Sequence, residues 1–308
     1  MDSLDVKIFL AMEAHQYIIQ GGMERQLNLR SMAKQLGVDP DTVRARIKKL
    51  ESNFIKYYQV FPNFRVFGLR LFAFGLVFSD PAAKGEALQK LKLMEEVGWI
   101  DERLNSLRVH LLYRGGEPDL EKELALIEKL TGAKPIRQNY MDMRPVETGL
   151  SLTDWLIIKS IRYDARKPTE EVAREVGLTT RAVNYRIQRL RRGKAFFIVP
   201  VVSFDSFQNA VCSHFTFFLD GKRRSEAIDE IIRLVGERTM SRLVTSEGSV
   251  SFCVPTRSII ESEEDYLKVK VIPGVEKVIM DFPLRCHDTS AYIDKLIDEK
   301  IVSLESKS

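Results

Sequence analysis

The sequence is poor in the residues that most often carry metal and nucleophilic chemistry. Its 308 residues hold four histidines (His15, His110, His214, His287) and three cysteines (Cys212, Cys253, Cys286). No two cysteines stand in a C-x-x-C spacing, and an odd number cannot all pair within the chain, so neither a zinc site nor a complete disulfide framework is expected. The thiols read as small buried hydrophobes in a reducing compartment. There is no glycine-rich phosphate loop, no paired nucleophile and base, and no metal signature. Long apolar runs are missing as well. The longest, residues 61–78, is interrupted by Pro62, Arg65, Gly68, Arg70 and Gly75, and falls short of the ~20 unbroken apolar residues of a membrane helix. It reads as strand. The start, Met1-Asp2-Ser3-Leu4-Asp5, is acidic and unlike a signal peptide, which points to a cytoplasmic protein. No membrane, metal or cofactor partner is expected. Nor does one sign of charge dominate: the net charge of +4 is too small to imply a nucleic-acid partner by itself.

What the sequence does have is a repeat. With 44% apolar residues it can bury cores in two or more domain-sized units. Residues 32–50 align with 172–190 at a constant offset of 140, with identities at 33/173, 37/177, 43/183, 46/186, 47/187 and 50/190. A period this long is not a solenoid; it indicates duplication of a two-domain unit. Downstream, Phe64 and Phe67 fall opposite Phe204 and Phe207, and the run from Leu71 to Leu76 has a counterpart in His214 to Leu219. Upstream, the first half carries about eight extra residues, placed within 16–26, where Gly21-Gly22 marks a loop.

The repeated element reads as a helix-turn-helix. Leu29, Met32, Ala33 and Leu36 follow helical spacing, and Gly37 supplies the left-handed residue that ends a helix. Val38 fills the corner, Asp39 is a good N-cap and Pro40 suits the first helical position. Val43, Ile47 and Leu50 form the buried stripe of the next helix. The second copy meets the same demands with Gly177, Leu178, Thr179, Val183, Ile187 and Leu190. Amphipathic helices precede each pair, at 4–12 and 152–161, the latter capped by Ser151 or Thr153. Each half thus begins with a three-helix module whose last helix is the recognition helix.

Charge follows the same map. Residues 30–50 carry Arg30, Lys34, Arg44, Arg46, Lys48 and Lys49 against Asp39 and Asp41, a net +4. Residues 174–194 carry Arg174, Arg181, Arg186, Arg189, Arg191, Arg192 and Lys194 against Glu175, a net +6. Everything else in the chain is net acidic. Positive charge concentrated on two recognition units is the footprint of a duplex-DNA binder. By face, Thr42, Arg44, Ala45 and Lys48 lie outward on the first recognition helix, and Thr180, Arg181, Asn184, Tyr185 and Gln188 on the second. Arg181, Asn184 and Gln188 can make bidentate bonds to base edges. Arg46 and Arg186, on the core boundary, clamp phosphate or brace the module; Lys49, Arg189, Arg191 and Arg192 are expected on phosphates. The two faces differ, so they are expected to read different half-sites, or only the second is specific.

After Leu50 and Leu190 the period changes from 3.6 to 2. Strands are predicted near 69–78, 100–104, 108–113 and 134–142 with helices at 81–97 and 120–130. The second half offers strands at 211–219, 241–245, 250–254 and 275–282 with helices at 224–236 and 258–268, and a last helix at 289–300. Each order is β-α-β-β-α-β. The expected fold is therefore α+β: two three-helix modules of winged or helix-turn-helix type, alternating with two ferredoxin-like domains. The expected boundaries are 1–58, 59–147, 148–198 and 199–308.

A helix-turn-helix followed by a βαββαβ unit resembles the Lrp/AsnC (leucine-responsive, feast/famine) transcription regulators. The resemblance is carried by Leu152-Thr153-Asp154 through Ile161, by Val172 to Thr179 and by Val183 to Leu190, with the same frame at Leu4 to Ile8 and Met32 to Leu50. It implies sheet domains that pair face to face, and a small-molecule effector near the turn between the two middle strands. Here that turn is matched by Thr245, Ser246, Glu247, Gly248 and Ser249, with the glycine displaced; the first half has Leu104-Asn105-Ser106-Leu107 and no glycine. The chain is expected to pair the apolar faces of its two sheets as an intrachain pseudo-dimer, or to form a homodimer. The function expected is a sequence-specific DNA-binding regulator. The same architecture also resembles the siroheme decarboxylases, which act on a tetrapyrrole. An enzyme of that kind needs histidine and arginine around a pocket. His110 and His214 fall in separate predicted strands with no evident cluster, so the chain is expected not to be an enzyme.

Overall fold

The computed structural model describes residues 3–13, 28–141, 143, 145–203, 211–235, 241–244, 249–289 and 291–306. The first module is α1 (Ser3–Glu13), α2 (Leu29–Leu36) and α3 (Pro40–Asn53). Asp39 caps α3 by accepting from the Thr42 amide at 2.8 Å, and Gly37 closes α2 with φ 68°. After β1 (Ile55–Pro62) and a short 3-10 turn at Phe64–Phe67 comes the first sheet unit: β2 (Arg70–Val77), α4 (Pro81–Leu91), β3 (Val97–Arg103), β4 (Ser106–Tyr113), α5 (Glu117–Thr131) and β5 (Ile136–Met141). The second half repeats the plan. Its module is α6 (Leu152–Ser160), α7 (Thr169–Val176) and α8 (Thr180–Arg192), followed by β6 (Phe196–Val202). Its sheet unit is β7 (Val211–Leu219), α9 (Arg224–Val235), β8 (Ser241–Val244), β9 (Ser249–Thr256), α10 (Ile259–Lys270) and β10 (Val275–Asp281). Two elements follow, β11 (Pro283–Asp288) and α11 (Ala291–Glu305).

Strand order is β3-β4-β2-β5 in the first sheet and β10-β7-β9-β8 in the second, the ferredoxin-like arrangement in both. Each sheet buries one face under its own helices. Phe72, Phe74, Leu107, Val109 and Leu111 pack with Ala87, Leu91, Leu120 and Ile127, while Phe215, Phe217, Val250 and Phe252 pack with Ile231 and Val269.

Three connections hold the halves as one body. First, β1 and β6 pair as an antiparallel ribbon in which Tyr58 meets Pro200 and Phe61 meets Phe197; the Phe61 and Phe197 rings stack at 5.5 Å. Neither segment alternates in polarity, because each is covered on both faces, so the ribbon was absent from the sequence expectation. Second, β11 leaves the second sheet and adds to the edge of the first, giving the order β11-β3-β4-β2-β5. His287 Nε2 meets Glu102 Oε2 at 2.8 Å across that edge. Third, α11 lies against α6, where Lys159 and Arg162 reach Asp298 and Asp294 at 2.6 and 2.9 Å, and Lys295 reaches Glu95 of the first half at 3.1 Å. One apolar core runs through both three-helix modules, the ribbon and α11. The extra segment expected at 16–26, and Phe204 and Phe207, lie outside the described residues.

Candidate functional site

The two recognition helices present matching surfaces. In α3, Val43, Ile47 and Leu50 are buried; in α8, Val183, Ile187 and Leu190 are. The opposite faces are open. Arg44 and Lys48 are exposed on α3, and Arg181, Asn184, Tyr185, Gln188 and Arg192 on α8, whereas Thr42, Thr180 and Arg191 are half-buried. Thr42 is also drawn into its cap, since its hydroxyl donates to Asp39 at 2.5 Å. Tyr185 is 71% exposed. Asn184 is held by Thr169, whose hydroxyl donates to its Oδ1 at 3.2 Å; its NH2 donors are what remain to face outward. A cleft of about 450 Å³ between the start of α7 and α8 is lined by Arg166, Lys167, Thr169, Asn184 and Gln188.

Four of the basic residues assigned to this face reach instead to a buried aspartate at the start of their own module. In the second module Asp154, with a fully buried side chain, accepts from Arg186 at 2.9 Å and pairs with Arg189. In the first, Asp5 is equally buried and holds Arg46 at 2.9 Å and Lys49 at 2.7 Å. Arg46 and Arg186 are therefore braces, one of the two roles open to them. Lys49 and Arg189, expected on phosphate, are committed to the same carboxylates. The reason is geometric: one helical turn separates 46 from 49 and 186 from 189, so both members of each pair reach back to the start of the first helix. Burial alone would raise the Asp154 carboxyl, but hydrogen bonds from the Ser151 amide and hydroxyl and from Arg186 and Arg189 hold it below the ordinary value. The available signal in the sequence was an acid near the start of the first helix of each module, Asp5 and Asp154.

The sheets meet through polar faces, which corrects the expectation that apolar faces would cover each other. On β4, Leu107, Val109 and Leu111 point to the helices, so Ser106, Arg108 and His110 point to the second sheet. Asp101 and Arg103 of β3 share that face. From the other side, β7 and β9 contribute His214, Thr216, Ser251 and the thiols of Cys212 and Cys253, and β10 contributes Asp281, paired in register with His214. The sheets are joined directly: Ser106 donates to Asp281 at 2.5 Å. Arg103 and Arg108 are each 4% exposed, His110 and His214 each 5%. Trp99 stacks on His110 at 4.3 Å, and Asp101 meets the His110 Nε2 at 3.2 Å. Burial, together with the two arginines, pushes His110 down to about 4 and His214 well below the ordinary histidine value. Arg103 is pushed down to about 10 by burial and by the charge of Arg108. Among the described residues, Arg103 Nε and the Nδ1 atoms of both histidines meet no hydrogen-bond partner. Cys212 and Cys253 are buried as expected, but Cys286, on β11, is exposed.

Comparison with known proteins gives the second module a place. Residues 150–191 match the AsnC-type helix-turn-helix domain. The second module is an AsnC-type helix-turn-helix domain. No curated protein gives a match to the chain. Among solved structures, the whole chain is similar to siroheme decarboxylase NirDL, alone and in complex with an iron-uroporphyrin III analogue. Identity is 15% in both, with TM-scores of 0.52 and 0.51, over 99% and 98% of this chain and 100% of each of those. E. coli AsnC is similar over 43% of this chain and 91% of its own, at 16% identity and a TM-score of 0.35.

The architecture around the AsnC-type domain is therefore the two-repeat fold seen in NirDL. This overturns the expectation that the chain is not an enzyme, because an enzyme shares the fold from end to end. The reasoning behind that expectation also gives way, since His110 and His214, distant in sequence, lie around the same two buried arginines. Of the five residues expected at an effector turn, Thr245, Ser246, Glu247 and Gly248 lie outside the described residues. Ser249 begins β9 and is buried, on the face it shares with Ser251 and Cys253. No described helix is long and apolar enough to cross a membrane.

Proposed function

We propose that this chain is a sequence-specific DNA-binding regulator that carries both of its recognition helices, α3 and α8, on one polypeptide. One observation supports it above the others. Both copies bury the same three apolar positions, tie the same pair of basic residues to a buried aspartate, and leave the intervening polar face open. Arg181 and Gln188 are assigned to base edges, with Asn184 donating, and Arg44, Lys48 and Arg192 to phosphates and the neighbouring groove. The faces are unlike, so one chain reads two unlike half-sites. Selection of bound duplexes from a random pool tests this. A motif of two different half-sites at fixed spacing is expected, and recovery of no motif would overturn the proposal.

A second reading is favoured by the meeting of Arg103, Arg108, His110 and His214 between the sheets of a fold shared with a decarboxylase. Here the arginines would hold carboxylates of a tetrapyrrole. Breaking the C–C bond releases CO2 and leaves its electron pair on carbon, where a protonated histidine supplies the replacing proton. Mixing the chain with iron uroporphyrin tests this reading: a shifted Soret band and released CO2 support it, and an unchanged spectrum removes it.

A further inference from the structure

We propose that α10 is a self-association surface, on which a second copy of this chain docks its own α10 as an antiparallel helix pair. The helix inverts the usual pattern of a surface helix. Its buried face is Ser262, Asp265 and Val269, with Tyr266 partly covered. Polar bonds fasten that face to the sheet: Ser213 donates to Ser262 at 2.6 Å, and Ser262 and Thr256 share a hydrogen bond at 2.6 Å. The outer face is apolar. Ile259, Ile260, Leu267 and, at the C-cap, Val271 are each more than half exposed. A helix that covers a core ordinarily does the reverse. The equivalent helix of the first half, α5, follows the ordinary rule. It buries Leu120, Leu124 and Ile127, and Leu126 is its one exposed large apolar side chain among the described residues. Covering the sheet therefore does not call for the outer stripe of α10, and contiguous apolar surface of this kind marks a site of association.

Spacing and charge identify the occupant as a second copy. Ile260, Leu267 and Val271 fall on one line of the helix. Glu263 and Lys270 run along one side of that line, Glu264 and Lys268 along the other, and all four are exposed. Lys270 lies over the Tyr266 ring at 5.7 Å, which keeps it to its side. On both sides the acid precedes the base. Two copies laid antiparallel about a two-fold axis near Tyr266 bring Ile260 of each over Val271 of the other, with the two Leu267 side chains at the centre. The same rotation sets Glu263 against Lys270 and Glu264 against Lys268, twice over. A parallel pair would instead set acid beside acid and base beside base. The stripe thus complements itself. A pair joined at α10 carries four recognition helices in place of two, but the proposal rests on the stripe and requires neither functional reading.

Sedimentation velocity of the full chain, from about 1 μM to about 100 μM, tests this. A concentration-dependent step from one chain to two is expected. Leu267→Glu should weaken the dimer about tenfold or more, since it sets two carboxylates together at the centre. Glu264→Lys and Lys268→Glu should each weaken it roughly threefold. The double variant should return to within about twofold of wild type, because the exchanged charges still complement each other. Each of these side chains faces water, so thermal melts of the variants should match wild type, which separates lost association from lost folding. A chain that stays single at the highest concentration overturns the proposal. So does a dimer indifferent to Leu267→Glu, and a double variant no better than its parents overturns the antiparallel register. None of these results bears on the DNA selection.

Discussion

Gln59 pairs with Val199 across the β1–β6 ribbon, and the two positions are separated by the same 140 residues that separate the two helix-turn-helix copies. A residue paired with its own repeat equivalent marks the place where a two-fold axis would cross. The chain is thus an internal pseudo-dimer, folded about that pair, and its two recognition helices are related by it. In a single polypeptide the two halves of such a pseudo-dimer are free to diverge in sequence.

Base-edge contacts and phosphate contacts should separate experimentally. Arg181→Ala or Gln188→Ala is expected to cost roughly 1–3 kcal/mol on the preferred sequence and little on random DNA. Arg192→Ala should weaken all duplexes alike and reduce the slope of log K against log salt by about 1. Competition binding at three salt concentrations measures both.

The buried aspartates should matter for stability and not for base choice. Asp154→Asn keeps the volume but removes the charge that holds Arg186 and Arg189. Since both guanidinium groups retain some access to solvent, the loss should be about 1–3 kcal/mol, below that of a wholly buried pair. Thermal unfolding checks it. A cycle with Arg186→Met should show coupling; additive effects would contradict the brace.

Arg166 links the two modules. It lies over the Tyr58 ring at 3.9 Å and pairs with Glu51 at the end of α3, and Tyr58 itself donates to Glu51 at 2.9 Å. Arg166→Ala should cost about 1 kcal/mol of stability. Its larger effect should be on spacing: selected sites should tolerate half-site separations that wild type rejects. Sites selected at one unchanged spacing would show that the link does not set the geometry.

Acid should destabilise the fold through the seam. In the unfolded chain a histidine takes up its proton near 6.5, whereas folded His110 does so only at about 4, and His214 is also displaced downward. Between those values the unfolded state binds more protons, so stability rises with pH across the window and is lost as pH falls from 6.5 towards 4. For His110 alone the loss is about 3 kcal/mol. Denaturant melts at pH 7 and pH 5 test the sign, and His110→Gln should flatten the dependence.

Much of this was legible in the sequence, for reasons that can be named. Gly37 and Gly177 both adopt φ 68°, and Asp39 and Thr179 both cap the helix that follows, as the repeat demanded. The order of strands and helices in both sheet units also followed from periodicity. The seam did not, although its signal was present: on β4, Ser106, Arg108 and His110 alternate with Leu107, Val109 and Leu111. Such alternation ordinarily means one face in water. Here the polar face is covered by a second polar face contributed from more than a hundred residues away, which no local pattern encodes. The β11 strand escaped for the same reason, because its partner β3 lies in the other half.

That last strand has a consequence for synthesis. A ribosome that has finished the first sheet unit has not yet made residues 283–288, which occupy its edge beside Val97–Arg103. Until they emerge, the nascent unit exposes a row of unpaired backbone groups capable of capturing another chain. The first half therefore completes its sheet only when the last strand of the second half has been made.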